Sequence, residues 1–294
     1  MDRRFKLSLL GAAVFAAAQL NGAALFSASA ADLLPPPPVV EAPEVVQSSN
    51  TGWYLRGDIS YDFQEAEGPL HVPNQGTIFN STSYDDAFNV GIGIGYQATN
   101  NLRFDLTGEY VFDHGVHGTT GGAAPCAAAT AAGYTAGSCL STEEADVNKL
   151  KVMANAYYDI GHIGKFSPYV GAGIGGVRVS YDDLNTTETC TVTAHPGVPT
   201  NYACGHVAGG VFPATSTATR SDFAGEETWR FAWALHAGTA YSLSSNLKLD
   251  VGYTYSRTEG GKAFSGKDPV TLDIYDKGFE DHTIRAGLRY QFGH

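Results

Sequence analysis

The chain has 294 residues, 30 acidic against 18 basic, a formal charge of −12 and 16% charged residues, with 35 glycines. That acidity excludes nucleic acid, which needs a basic surface. The charged fraction is well below the roughly 25% of soluble domains.

Arg3, Arg4 and Lys6 form a basic start, an apolar stretch runs from Leu7 to about Leu25, and Ala28-Ser29-Ala30 places small residues at both cleavage-determining positions. Residues 1–30 are expected to be a signal peptide, cut before Ala31. Residues 31–50 contain four consecutive prolines and are expected to form an extended periplasmic linker. Beyond Ala31 no apolar run reaches the length of a spanning helix. An exported chain of this kind can cross a membrane only as a closed barrel. The remaining stretch, 51–294, is long enough for one such domain.

Alternation of apolar and polar residues begins there. The first strand sets Trp53, Leu55, Ile59, Tyr61 and Phe63 against Arg56, Asp58, Ser60 and Asp62. The second sets Phe88, Val90, Ile92, Ile94 and Tyr96 against Asn89, Gln97 and three glycines. The third has Leu102, Phe104, Leu106, Tyr110 and Phe112 opposed to Arg103, Asp105, Thr107 and Glu109. The fourth has Leu150, Val152, Tyr158 and Ile160 opposed to Lys149, Lys151, Asn155 and Asp159. In the fifth the apolar parity switches, from Val170, Ala172 and Ile174 to Val177, Val179 and Tyr181, so a β-bulge is expected at Gly175-Gly176, with Gly171, Gly173 and Arg178 inward. The sixth has Trp229, Phe231, Trp233, Leu235 and Tyr241 outward, with Arg230 and His236 inward. The seventh sets Leu247, Leu249, Val251, Tyr253 and Tyr255 against Lys248 and Asp250. The last alternates from Ile284 through Leu288 and Tyr290 to Phe292, with Arg285 and Arg289 between. A one-residue slip in any of these would turn charge into lipid, so register is tightly specified.

Connections after the even strands are short (99–101, 161–166, 242–245), and those after the odd strands are long (64–86, 114–146, 182–227, 259–279). Short periplasmic turns and long outer loops are the habit of outer-membrane barrels. Aromatics gather near strand ends, among them Trp53, Tyr54, Tyr110, Phe112, Tyr158, Tyr169, Tyr181, Trp229, Tyr241, Tyr255, Tyr290 and Phe292, and are expected at the headgroup level. The fold class is therefore all-β: an eight-stranded antiparallel transmembrane barrel in the outer membrane.

Several stretches carry a family likeness: Ala30-Ala31-Asp32-Leu33 with its proline run, the block from Gly52 to Gly57, the block from Pro168 to Gly175, and Arg285 through Phe292. In these the chain resembles the eight-stranded outer-membrane β-barrel proteins of Gram-negative bacteria, and within them the immunogenic outer-membrane proteins of alphaproteobacteria. The likeness spans the mature chain. It implies a Gram-negative envelope, exposure as a surface antigen, and recognition of the last strand by the barrel-assembly machinery. One departure is that Gly293-His294 follow Phe292, where the family's assembly signal ends on the aromatic.

An eight-stranded barrel is only wide enough to be filled by side chains. The inward set is read as Arg56, Arg103, Lys149, Lys151, Arg178, Arg230, Lys248, Arg285 and Arg289 facing Asp58, Asp105, Glu109, Asp159 and Asp250. Such charges would form a plugging network or, alternatively, line a narrow porin-like channel whose basic excess favours anions. Asp281-His282 is no hydrolytic pair, since adjacent strand residues point to opposite faces, and no enzyme is expected. Cys126, Cys139, Cys190 and Cys204 are disulfide candidates in an oxidising compartment. Four cysteines permit three connectivities, and local pairing within each segment is preferred here because a long strand pair separates the two. Of the loop histidines His71, His114, His117, His195 and His206, the spacing of His114 and His117 would allow a helical turn to offer both to haem iron, and the resembling family includes haem binders. Solvated loop histidines are the plainer reading, and neither a resident cofactor nor a metal is expected. Acid clusters in the loops (Glu65 and Glu67, Asp85 and Asp86, Glu143, Glu144 and Asp146, Asp182 and Asp183, Glu226 and Glu227), several just above strand ends, would meet lipopolysaccharide phosphates through divalent cations or, alternatively, form a solvated acidic rim. The leading role is structural, envelope integrity with display of the loops. A channel is the first alternative, and haem capture or adhesion by the loops the second.

Overall fold

The computed structural model describes residues 51–72, 76–77, 81–121, 135–193, 202–203, 206–207, 215–267 and 272–292. The expected signal peptide, the linker, Cys126, Cys204, His195 and Gly293-His294 lie outside these residues. Among the described residues no helix is long and apolar enough to cross a membrane, which says nothing of strands.

Eight strands close into a ring: β1 (Gly52–Ala66), β2 (Ala87–Gln97), β3 (Leu102–Gly121), β4 (Thr135–Asp159), β5 (Phe166–Tyr181), β6 (Glu227–Ser242), β7 (Leu247–Glu259) and β8 (Gly278–Gln291). Each pairs antiparallel with the next in sequence, and β8 returns to β1, from Tyr54 opposite Gln291 to Ala66 opposite Phe279. Closure removes the free edges that an open sheet would expose.

Alternation decides which face meets lipid. Trp53, Ile59, Ile92, Leu106, Tyr158, Ile174, Leu235 and Leu288 are all exposed on the outside, while Arg56, Arg103, Lys149, Asp250 and Arg289 are buried within. Two aromatic girdles bound this band. At the turn end Trp53 meets Tyr96 at 5.3 Å, Phe166 meets Tyr241 at 5.0 Å, and Tyr290 meets Phe292 at 5.4 Å. At the loop end Tyr61 meets Phe63 at 5.1 Å, Tyr110 meets Phe112 at 5.3 Å, and Trp233 meets Tyr255 at 5.5 Å. Amphipathic rings favour that depth. The turns are tight. Ala98 and Thr99 both donate to the Leu102 carbonyl, and Leu243 donates to that of Leu247. In the turn between β4 and β5 Gly164 adopts φ 62°, a left-handed conformation that a side chain would resist.

The long connections are not loops alone. β3 and β4 run on past the girdle and stay paired as far as Gly121 opposite Leu140. Strand Leu184–Thr193 pairs with upper β4, Thr215–Gly225 with that strand, Lys262–Gly266 with Thr215–Gly225, Ile274–Tyr275 with Lys262–Gly266, and His71–Val72 with Tyr275. Ser81–Tyr84 pairs with upper β3. Together they raise a β-crown above the membrane, so much of 114–146 and 182–227 is sheet.

Strand five corrects an expectation. Its ladders to β4 and β6 run without a register shift, so there is no bulge at Gly175-Gly176. Val177, Val179 and Tyr181 instead face inward and are buried, and Arg178 faces outward. The irregularity sits on β3, where one extra residue between Val111 and His114 resets which side faces in.

Candidate functional site

The ring of strands encloses a lumen, and among the described residues three layers occupy it. At the turn end Tyr54, Tyr157 and Tyr169 are almost fully buried. Their neighbours outward alternate with them, so they project in, which corrects the placing of Tyr54 and Tyr169 in the girdle. Arg103 packs against two of the rings, 4.1 Å from the Tyr157 centroid and 4.6 Å from that of Tyr169, and its Nε reaches Asp159 at 3.3 Å. Arg56 bridges Asp58 at 2.8 Å and Asp105 at 2.9 Å, and Asp105 also accepts from Tyr54 and Asn155. Arg289 pairs with Asp250 at 3.1 Å.

Above this floor is a chamber of about 40 Å³, room for a few waters. Thr107, Glu109, Asn155, His236, Thr254 and Arg285 line its polar side, and Met153, Val177, Ala232 and Ala234 its apolar side. His236 bridges Thr254 at 2.9 Å and Asn155 at 3.1 Å, and Arg285 donates to the Tyr157 hydroxyl. Toward the loop end Lys151 contacts Asp62 at 2.7 Å, Asp281 at 3.2 Å and Glu109 at 3.8 Å. Lys149 contacts Asp281 at 3.2 Å and Gln64 at 2.6 Å, and Thr283 donates to Asp62.

The third layer is apolar and belongs to the crown. Leu70, Val72, Val116, Val147, Val177, Val179, Leu184, Phe264, Ile274 and Phe279 form one buried cluster. Inside it Arg230 pairs with Asp276 at 2.7 Å, Tyr181 donates to Asp276 at 2.9 Å, and Tyr84 and Tyr181 share a hydrogen bond at 3.1 Å. Burial, then the Asp276 carboxylate, pushes the Tyr181 hydroxyl far above its ordinary range. Tyr181 is thus a crown residue and not a girdle one.

Two further expectations change. The inward count omitted Asp62 and Asp281, which are fully buried, and included Arg178, which is half-exposed and pairs with Glu227 at 3.4 Å. Arg230 belongs to the crown. Among the described residues the lumen cations Arg56, Arg103, Lys149, Lys151, Lys248, Arg285 and Arg289 are therefore equalled in number by Asp58, Asp62, Asp105, Glu109, Asp159, Asp250 and Asp281, and the basic excess that would favour anions is absent. His114 and His117 lie on strand β3, not on a helical turn. His114 is buried against the Phe112 carbonyl at 2.9 Å, while His117 is exposed beside Asp85 at 3.3 Å, so the two do not converge on one ligand. Asp281 and His282 part as expected: the carboxylate enters the lumen, and the imidazole meets the Tyr253 hydroxyl outside, at 2.5 Å. Several rim acids hold basic partners, Asp183 with Lys267 at 2.6 Å and Glu226 with Lys262 at 3.5 Å. The Lys267 ammonium holds the exposed Asp183 carboxyl below its ordinary range. Among the described residues no group of three His, Cys, Asp or Glu is placed to hold a metal.

This closed ring with a lipid-facing band defines a transmembrane β-barrel. The family described as "Outer membrane protein beta-barrel domain" matches residues 18–292, and the chain belongs to it. It is an outer-membrane protein. A Brucella abortus protein, named only as uncharacterized, is 34% identical over 292 residues, covering 90% of this chain and 93% of that one. The opacity protein opA60 of Neisseria gonorrhoeae is 30% identical over 143 residues, covering 47% of this chain and 50% of that one. Among solved structures, the outer membrane protein OprG of Pseudomonas aeruginosa aligns over 84% of this chain and 98% of its own, with 13% identity and a TM-score of 0.46.

Proposed function

We propose that this protein is a non-conducting barrel that serves the envelope structurally and holds a folded β-crown at the cell surface. The observation that supports this reading best is the filling of the lumen: a dense set of buried charges, most of them ion-paired, then an apolar core closing the outer end. Ion pairs inside a barrel are costly to break, so a water path through them has no ready route. Here display rests on the crown, which is sheet with its own core and so presents a fixed shape. The partners of this reading are lipid and lipopolysaccharide around the band, divalent cations at rim acids, and the assembly machinery at β8. Loop-based haem capture has no support from His114 and His117, which face opposite ways.

Single-channel recording of the refolded mature chain, residues 31–294, in a planar bilayer tests it. Insertion is checked separately by the change in gel mobility on boiling. We expect no conductance steps. Uniform, reproducible steps would overturn the reading in favour of a narrow channel, with the chamber beside Lys151 and Arg285 on its path.

A further inference from the structure

Cys139 on upper β4 and Cys190 on the strand Leu184–Thr193 occupy directly opposed positions in an antiparallel ladder. Pairing continues on both sides of them, Leu140 with Thr189 and Ser138 with Thr191. Position 190 is moreover held on its other edge, opposite Ser216 of Thr215–Gly225. The two cysteines therefore sit within a sheet, not at its end. Opposed residues of an antiparallel pair have Cα atoms about 4.5 or 5.5 Å apart, according to the kind of rung. A disulfide spans Cα separations of about 4.4–6.8 Å. The Cα span is met on either kind of rung, and on the non-hydrogen-bonded kind the Cβ atoms also approach the roughly 4.5 Å that a disulfide needs.

We infer that Cys139 and Cys190 form an inter-strand disulfide that staples the crown. The inference rests on backbone register and replaces the local pairing preferred from sequence separation. Sequence distance is a poor guide here, because the long strand pair separating the two segments is what folds them side by side. The bond forms by loss of two protons and two electrons from the thiols to a thiol–disulfide oxidant of the envelope, whose own disulfide is reduced to a dithiol. The compartment is one in which such bonds persist. Its effect is to tie the β3–β4 arm to the Leu184–Thr193 and Thr215–Gly225 arm, beyond the reach of the membrane.

Peptide mapping of the full-length protein extracted from outer membranes, with free thiols alkylated first, tests this directly. Between Arg103 and Lys149, and between Arg178 and Arg220, there is no Lys or Arg, so trypsin leaves Cys126 with Cys139 and Cys190 with Cys204. Chymotrypsin cutting at Tyr134 and Tyr202 then separates each pair. The expected product is a linked peptide containing Cys139 and Cys190, lost on reduction as its two halves appear. Linkage of Cys139 to Cys126 or Cys204, or alkylation at Cys139 or Cys190, would overturn the inference. No variant is needed, so folding defects cannot confuse the outcome.

Discussion

Arg103 is held by two kinds of partner at once. Its guanidinium carbon lies 4.1 Å from the Tyr157 ring centroid and 4.6 Å from that of Tyr169, and its Nε pairs with Asp159. Cation–π attraction and charge pairing therefore act on one buried group. Arg103→Ala should cost about 3–5 kcal/mol, the range for breaking a buried pair, read as a lower urea midpoint for loss of the folded band on unboiled gels. Arg103→Ala with Asp159→Asn should recover part of that loss, because the stranded charge is removed. If the single variant unfolds like wild type, the floor of the lumen is wetter than its geometry implies. Close approach matters equally at Gly95, where a Cβ would overlap the Tyr54 ring and come within 2.6 Å of the Phe104 carbonyl. Gly95→Ala is expected to lose about 1–3 kcal/mol through overpacking. Gly108→Ala serves as its control, since nothing lies within 4 Å of that Cβ, and should leave the midpoint unchanged.

At the scale of the strand, β5 carries the sharpest expectation. With continuous ladders, Arg178 faces out and Val179 in. In a chain whose native cysteines are replaced by serine, Arg178→Cys should react with a water-soluble maleimide and Val179→Cys should not. The opposite pattern would restore the bulge. Inside the membrane, parity alone located every strand and nearly every inward charge, because lipid outside and polar groups inside give alternation one meaning. Above the girdle that meaning reverses: water lies outside and the crown's core lies within, so Val177, Val179 and Tyr181 are apolar and inward. Reading apolar as outward there produced a bulge where none exists and hid the one on β3. Tyr54 and Tyr169 were misplaced for a related reason, since ring type was weighed above parity, although Tyr54 shares its parity with Arg56 and Tyr169 with Gly171 and Gly173. Asp276 and its tyrosine partners left no such signal. They meet only because Ile274–Tyr275 pairs with Lys262–Gly266 and His71–Val72, contacts no periodicity encodes.

Above the tyrosine floor the barrel places two further barriers in series, and they fail for different reasons. The ion-pair layer around Lys151 is polar and stays closed while its carboxylates keep their partners. In Lys151→Ala, Asp62 keeps only the Thr283 hydroxyl among its side-chain contacts and Asp281 keeps Lys149, so water should enter to solvate Asp62, at a cost of several kcal/mol. That change alone leaves the crown core intact, and the bilayer should stay silent. Phe264→Ala removes a fully buried ring whose centroid lies 5.0 Å from that of Tyr181, the two rings tilted. It should loosen the crown by about 3–5 kcal/mol, again without conductance, because the charge layer below still fills the lumen. Phe279 joins the two layers, with its ring 3.8 Å from the Lys149 ammonium and 5.0 Å from Tyr84. Only Lys151→Ala combined with Phe264→Ala should produce steps in planar bilayers, provided gel mobility confirms that the variant inserts folded. Steps from either single variant would mean that the other layer is no barrier. Silence of the folded double variant would place the obstruction lower, in the tyrosine floor that holds Arg103.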